Sequence, residues 1–423
     1  MSASATVHQW APFPMKLLSF YCLCVGCRPE RSALSLNTAG ASPVLGRSSM
    51  TRKKSFGGLL RFLSGRLALI YAVGVFGGFL QIAGGTWDVA SHTLGIPDTF
   101  FTPSHMVLYV GVAAAGLAGI AGVLLGRTVF RPIPAARPFV AGLQIAFTGS
   151  VLQFIAGPTD FWWHDTFGFD PFLFTPGHIL LISGIILVGV GMAIGSVRIL
   201  QASGSGTSAG PLIGPRAALQ AVAIVGFAVL WLDLNGLVYL LTDVEGIAYT
   251  FNLGPTFVDR FQWIGFTVGP VILALVGTLV LLAVKRVVRR TGAVTSVAVL
   301  AAGIVVLGNV AFRASYLADT AEGAAIAAFI PLYVAFLLPV VAFDFAVGDL
   351  AARPRVVVGA ALVAPFASFL DGWHGTFLWT DGRELLPFFI LPMMLAGVAA
   401  GALSVRFARV LLNGRRRAFA TPL

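Results

Sequence analysis

The apolar residues of this chain fall into long blocks, and the charged residues collect in the short segments between them. The blocks run over 63–85, 104–126, 138–159, 176–197, 217–240, 262–284, 294–312, 324–345, 356–371 and 385–406. A helix needs about 20 predominantly apolar residues to cross a bilayer, and open sheet edges have no place in lipid. The pattern therefore predicts an all-α fold, a polytopic integral membrane helical bundle of about ten transmembrane helices. Between the fourth and fifth blocks, Gln201-Ala-Ser-Gly-Ser-Gly-Thr-Ser-Ala-Gly210 has the composition of a flexible linker. Residues 199–216 accordingly divide a four-helix unit (50–198) from a six-helix membrane unit (217–423).

Residues 1–49 follow a different pattern. The apolar run from Met15 to Val25 is too short to span a bilayer, and no small-residue cleavage site follows it. Met50-Thr-Arg-Lys-Lys has the character of a cytoplasmic flank. Translation is expected to begin at Met50, with 1–49 an upstream leader.

Composition sharpens the class. Apolar residues make up 57% and charged residues 11% of the chain, with a mean hydropathy of +0.89, whereas about a quarter of a soluble domain is charged. A net charge of +11 would suggest nucleic acid as the partner of a soluble chain. Here the basic residues flank apolar blocks, so the positive-inside rule explains them, and lipid is the expected partner with no nucleic acid. With Met50 inside, 21 of the following Lys and Arg residues lie on inner flanks, against only Arg260, Arg313 and Arg383 outside. Both ends of the membrane body are then cytoplasmic. After Met50 the acidic residues divide the other way, with only Asp344 and Asp349 inside, and His92, His105, His164, His178 and His374 all fall at the outer end. Cys22, Cys24 and Cys27 are confined to the leader, so neither a disulfide framework nor a Cys-based zinc site belongs to the membrane body.

The outer ends of the first four blocks carry one pattern twice. Gly85-Thr-Trp-Asp88-x3-His92 leads through Asp98-Thr-Phe-Phe-Thr-Pro-Ser-His105, and Asp160-x3-His164 leads through Asp170 to Phe-Thr-Pro-Gly-His178 with one residue more before the last His. Asp and His four apart share one helix face, and the negative end of the helix dipole favours a cation there. Pro suits the first turn of the following helix and so sets where the last His enters the bundle. Each copy offers two imidazoles and a carboxylate, donors for copper, zinc or non-haem iron. The expected metal ligands are Asp88, His92, His105, Asp160, His164 and His178. Asp98 and Asp170 are expected to hold ring N–H groups from behind. A single Asp-x3-His at a helix end is most often a cap or a surface ion pair, and repetition is what favours metal.

Elsewhere the signals are thinner. Asp371-Gly-Trp-His374 echoes the motif weakly, with no Pro-x-His tail, as a possible additional polar site. Asp233 and Asn235 interrupt an apolar block, either completing a polar path or bonding to a neighbouring helix. Arg313, Asp319 and Glu322 read as a solvated outer loop. Trp162 and Trp163 read as interfacial belt aromatics, while Trp87 fits either the belt or the site.

The run Asp88-x3-His92-x12-His105, with Asp98-Thr-Phe-Phe-Thr-Pro-Ser-His105 inside it, resembles the C subunit of particulate methane and ammonia monooxygenases. The resemblance spans roughly residues 63–197. It implies copper on Asp88, His92 and His105. Asp160-x3-His164 and Pro176-Gly-His178 occupy the places of the family's Asn-x3-His pair and later Pro-x-His. By the same resemblance a second copper site would comprise His105, Asp160 and His164, with His105 shared. Asp160 stands where the family has Asn, which makes that site more anionic, and the last six helices have no counterpart. The function this implies is a copper-binding membrane protein, either part of a membrane oxidising complex with other membrane subunits or a metal-holding relative of one. A zinc-dependent intramembrane hydrolase and a proton- or metal-coupled transporter are the competing expectations.

Overall fold

The computed structural model describes residues 48–96, 99–131, 137–168, 172–202, 215–328, 330–347, 353–369 and 390–404. Helices account for nearly all of them, and no strand occurs among the described residues. Seven helices are long and apolar enough to cross a membrane: Arg66–Thr93, Pro103–Arg127, Pro138–Phe167, Pro176–Gln201, Arg216–Thr242, Pro255–Val288 and Ala293–Tyr316. The last three expected crossings are also helical and apolar, but Tyr333–Ala346, Pro354–Ser368 and Ile390–Ser404 are shorter than a straight crossing within the described residues. The leader up to residue 47, Asp98, Asp170, the linker from 203 to 214, Asp371 and His374 lie outside the described residues.

The helices are α1 (Ser48–Thr93), α2 (Pro103–Arg127), α3 (Pro138–Phe167), α4 (Pro176–Ala202), α5 (Pro215–Thr242), α6 (Val244–Phe251), α7 (Pro255–Phe261), α8 (Trp263–Val288), α9 (Ala293–Val305), α10 (Phe312–Tyr316), α11 (Ala321–Ala327), α12 (Ile330–Ala346) and α13 (Arg353–Phe369). A final helix, α14, covers Ile390–Ser404. Helices α2, α3, α4 and α5 each begin on a proline, where the missing N–H has no partner to lose. Two ends differ from expectation in a way that matters. Helix α1 runs on to Thr93 and α3 to Phe167, so both Asp-x3-His pairs lie inside helices, in their last turns.

Glycine sets the helix spacing around the motif. Lipid supplies no hydrophobic drive between helices, so small residues that let backbones approach favour association. Cβ atoms on Gly77 or Gly84 of α1 would lie 2.6–2.8 Å from the α2 backbone. In the next pair, Gly142 faces Gly191 and Gly149 faces Gly184, each against the other's carbonyl with no room for a Cβ. These contacts seal α1 against α2 and α3 against α4 as antiparallel pairs.

The sequence linker does not separate two cores. Residues 56–423 form one compact unit, and residues 1–55, of which 48–55 are described as helix, belong to another. Tyr71 of α1, Met192 of α4, Trp231 of α5, Leu281 of α8, Val297 of α9 and Phe366 of α13 belong to one continuous apolar core. At the opposite end from the motif, Lys285 of α8 is buried against Asp344 of α12, Nζ to Oδ1 2.7 Å. Lys285 also donates to the Asp344 carbonyl, and the Thr295 backbone N–H and hydroxyl reach Asp344 Oδ2 at 2.9 and 3.1 Å. One buried ion pair thus clasps α8, α9 and α12.

Candidate metal centre

The last turns of α1 and the first turn of α2 build one cluster. Asp88 Oδ2 lies 3.7 Å from His92 Nε2, one turn away on the same face, and Asp88 Oδ1 lies 3.2 Å from His105 Nε2 across the helix pair. Ser104, the residue between Pro103 and His105, donates its hydroxyl to Asp88 Oδ1 at 2.8 Å. The His105 ring stacks on Tyr109, with centroids 5.9 Å apart.

Helices α3 and α4 build the other. Asp160 Oδ2 is 3.6 Å from His164 Nε2, and Asp160 Oδ1 is 3.6 Å from His178 Nε2. In each cluster one ligand atom from each of the three residues lies within 4.8 Å of the others. The extra residue before His178 does not displace it, because Pro176 restarts the helix and His178 keeps its place two residues into it. His105 Nε2 is turned to Asp88, and His178 supplies the third donor to Asp160 and His164. The closest groupings are thus two Asp-His-His triads, and His105 also lies within electrostatic reach of Asp160.

The opposite ring nitrogens are tied down. Nδ1 of His105 is 3.0 Å from the Thr99 carbonyl, that of His164 is 3.4 Å from the Gly168 carbonyl, and that of His178 is 3.0 Å from the Phe172 carbonyl and from the Thr175 hydroxyl. Asp98 and Asp170, expected in this supporting role, lie outside the described residues. A carbonyl only accepts, so Nδ1 carries the proton in each ring. Nε2 then faces a carboxylate.

The separations suit a cation. Donors at about 2.0–2.1 Å around a tetrahedral centre lie about 3.3 Å from one another, and the four Nε2-to-carboxylate distances are 3.2, 3.7, 3.6 and 3.6 Å. Asp160 Oδ1 is buried and has no hydrogen-bond partner, an acceptor left open at the centre of its triad. The donor set of two imidazoles and one carboxylate fits copper or zinc equally well by chemistry.

A brace from the second half of the chain was not expected. Asp243, the N-cap of α6, accepts from Gly246 N at 3.0 Å and reaches back to the backbone N–H groups of Leu173 and Phe174 at 3.0 and 3.2 Å. Thr250 donates to the Phe174 carbonyl, and the Phe172 ring tilts on Tyr249 at 5.2 Å. Burial raises the Asp243 carboxyl above the ordinary carboxylate range, opposed by those three N–H groups and by His178. The signal was present as Asp243-x-x-Gly246, an Asp three residues before a backbone N–H it can cap. Arg313, expected in a solvated loop, is buried in α10 with its guanidinium 3.9 Å from the exposed Glu322. Trp87 packs edge-on against Phe312 at 5.8 Å, away from the ligand atoms, and Trp162 is half exposed.

No family model, curated protein or solved structure matches this chain.

Proposed function

We propose that this chain is a copper-binding integral membrane protein, akin to the C subunit of particulate methane and ammonia monooxygenases and a component of a membrane oxidising complex. The observation that carries the reading is the locked orientation of His105, His164 and His178. A proton held on Nδ1 by a backbone carbonyl leaves Nε2 aimed at a carboxylate, as a metal-ligating imidazole requires. The Asp-x3-His-x12-His run with its Phe-Thr-Pro-Ser-His tail favours copper over zinc. Asp88, His92 and His105 would hold one ion, and Asp160, His164 and His178 another. Bound copper would supply one-electron chemistry toward oxygen. The chain's own contribution is to fix the ring tautomers, hold a carboxylate in each triad and bury the donors at the ends of glycine-sealed helix pairs. The charge asymmetry places both ends of the membrane body inside, with ten crossings and the triads at the outer face.

Metal analysis of the purified protein, expressed with copper or with zinc supplied, tests the reading. Two copper ions per chain are expected, with nitrogen couplings in the electron paramagnetic resonance spectrum of the oxidised form. Stoichiometric zinc retained in the presence of copper would favour the hydrolase reading. Absence of any transition metal would leave the triads as protonated helix-end ion pairs.

A further inference from the structure

A cavity of about 180 Å³ lies between the two triads, with Asp88 of the first and His178 of the second in its wall. Deeper in the bundle the same wall carries Gln81 of α1, Asp233 and Asn235 of α5, and Asn309, which are 0%, 1%, 5% and 5% exposed. None of them belongs to a triad. Among the described residues, both oxygens of Asp233, the amide oxygens of Gln81, Asn235 and Asn309, and the amide nitrogens of Gln81 and Asn235 have no hydrogen-bond partner. Buried polar groups are almost always satisfied, so among the described residues this set lacks the partners it needs.

Its chemistry narrows what those partners are. Five of the seven unpaired atoms are oxygens, so the missing partner is electron-poor. Among the described residues no Lys or Arg lines the cavity, and an ionised carboxylate inside a membrane bundle needs a positive charge beside it. Carboxylate and carboxamide oxygens are hard donors, suited to hard cations and not to the softer metals that imidazole takes. One carboxylate outside the triads calls for a single charge. The space admits an ion with part of its water shell, since a water takes about 30 Å³.

Two backbone features keep this chamber open. Asn309 sits in a π-helical segment, Val306–Ala311, between α9 and α10; such segments are rare and often mark functional sites. Gly85 and Gly236 also line the cavity, and a Cβ on either would meet nothing within 4 Å. Gly189 of α4 has the opposite role, because its missing Cβ leaves the place that Asp233 Oδ2 occupies.

We propose that this chamber binds a small, hard monovalent cation of the alkali-metal or ammonium class on the Asp233 carboxylate, with the amide oxygens of Gln81, Asn235 and Asn309 around it. The proposed donors lie outside the triads, although Asp88 and His178 share the cavity wall. The test uses the purified full chain in detergent, with equilibrium binding of radioactive sodium ion and thermal unfolding in sodium, potassium, ammonium or choline chloride at one ionic strength. Saturable binding of one ion per chain is expected, with an unfolding midpoint that rises with the logarithm of cation concentration; the potassium and ammonium arms show which ion the chamber prefers. Asp233→Asn should abolish binding, and Gly189→Ala and Asn309→Ala should each weaken it at least about tenfold. Copper content, measured in parallel, should stay at the wild-type level. Absence of saturable sodium binding together with no stabilisation by any of the three cations overturns the proposal, whether or not the variants fold. So does an Asp233→Asn protein that binds like the wild type.

Discussion

Gly177 lies against Asp160 with no space for a side chain between them, and Ser104 occupies the corresponding place against Asp88. A Cβ on Gly177 would sit 2.5 Å from Asp160 Oδ1 and 2.7 Å from its Cα. Ser104 instead spends its side chain on a 2.8 Å hydrogen bond to Asp88 Oδ1. The residue between Pro and His is therefore the one that sets the distance between the two helices of each triad.

Gly177→Ala should push α4 away from Asp160 and empty the second triad while the first keeps its ion. Metal stoichiometry measured by mass spectrometry should fall by half. Ser104→Ala should keep the first triad assembled but weaken its affinity about 10–100-fold, the usual effect of losing a group that holds a ligand in place. Equal effects of the two changes on both triads would contradict this account.

His105→Ala and His178→Ala should act separately. His105 Nε2 lies 3.2 Å from Asp88 and His178 Nε2 lies 3.6 Å from Asp160, so each substitution should remove the ion of its own triad alone, and only the double variant should be free of metal. Loss of both ions from His105→Ala by itself would restore the shared-ligand arrangement.

Lys285 and Asp344 are buried, at 7% and 0% exposure, and should depend on each other. Asp344→Ala leaves an uncompensated ammonium and is expected to destabilise the protein by about 3–5 kcal/mol, whereas replacing both by apolar residues of similar volume should recover much of that. Thermal unfolding of the single and double variants in one detergent measures the difference. Additive losses would show that the two side chains do not form a functional pair.

Asp243→Ala should loosen the chain before His178 without touching a ligand. The bonds from Leu173, Phe174 and Gly246 are lost together, an expected cost of about 1–3 kcal/mol. Hydrogen exchange at residues 172–175 should rise, and the second triad's affinity should fall while the first stays unchanged. Unaltered exchange at those amides would show that Thr250 and the aromatic contacts suffice.

Much of this protein follows from one-dimensional pattern. The apolar blocks place the seven long spans, and Pro103, Pro138 and Pro176 mark helix starts because proline loses nothing there. Asp88 with His92, and Asp160 with His164, share a face because 3.6 residues make a turn. Gly77 and Gly84, Gly142 and Gly149, and Gly184 and Gly191 recur seven apart in plain view. Local periodicity needs no knowledge of neighbours, so a sequence can carry it alone.

What a helix meets is another matter. Nothing within α3 says that Gly149 faces Gly184, and that packing is what brings His178 of α4 to 3.6 Å from Asp160. Asp233 looks the same in sequence whether it bonds to a neighbouring helix or lines a cavity, and only the packing of α1, α4, α5 and the π-helical turn at Asn309 assigns it to the cavity. The burial of Arg313 and the reach of Asp243 to Phe174 are likewise relations between distant parts of the chain. Such pairings depend on distances of a few ångströms between segments that sequence separates by tens of residues, and close packing in three dimensions sets those distances.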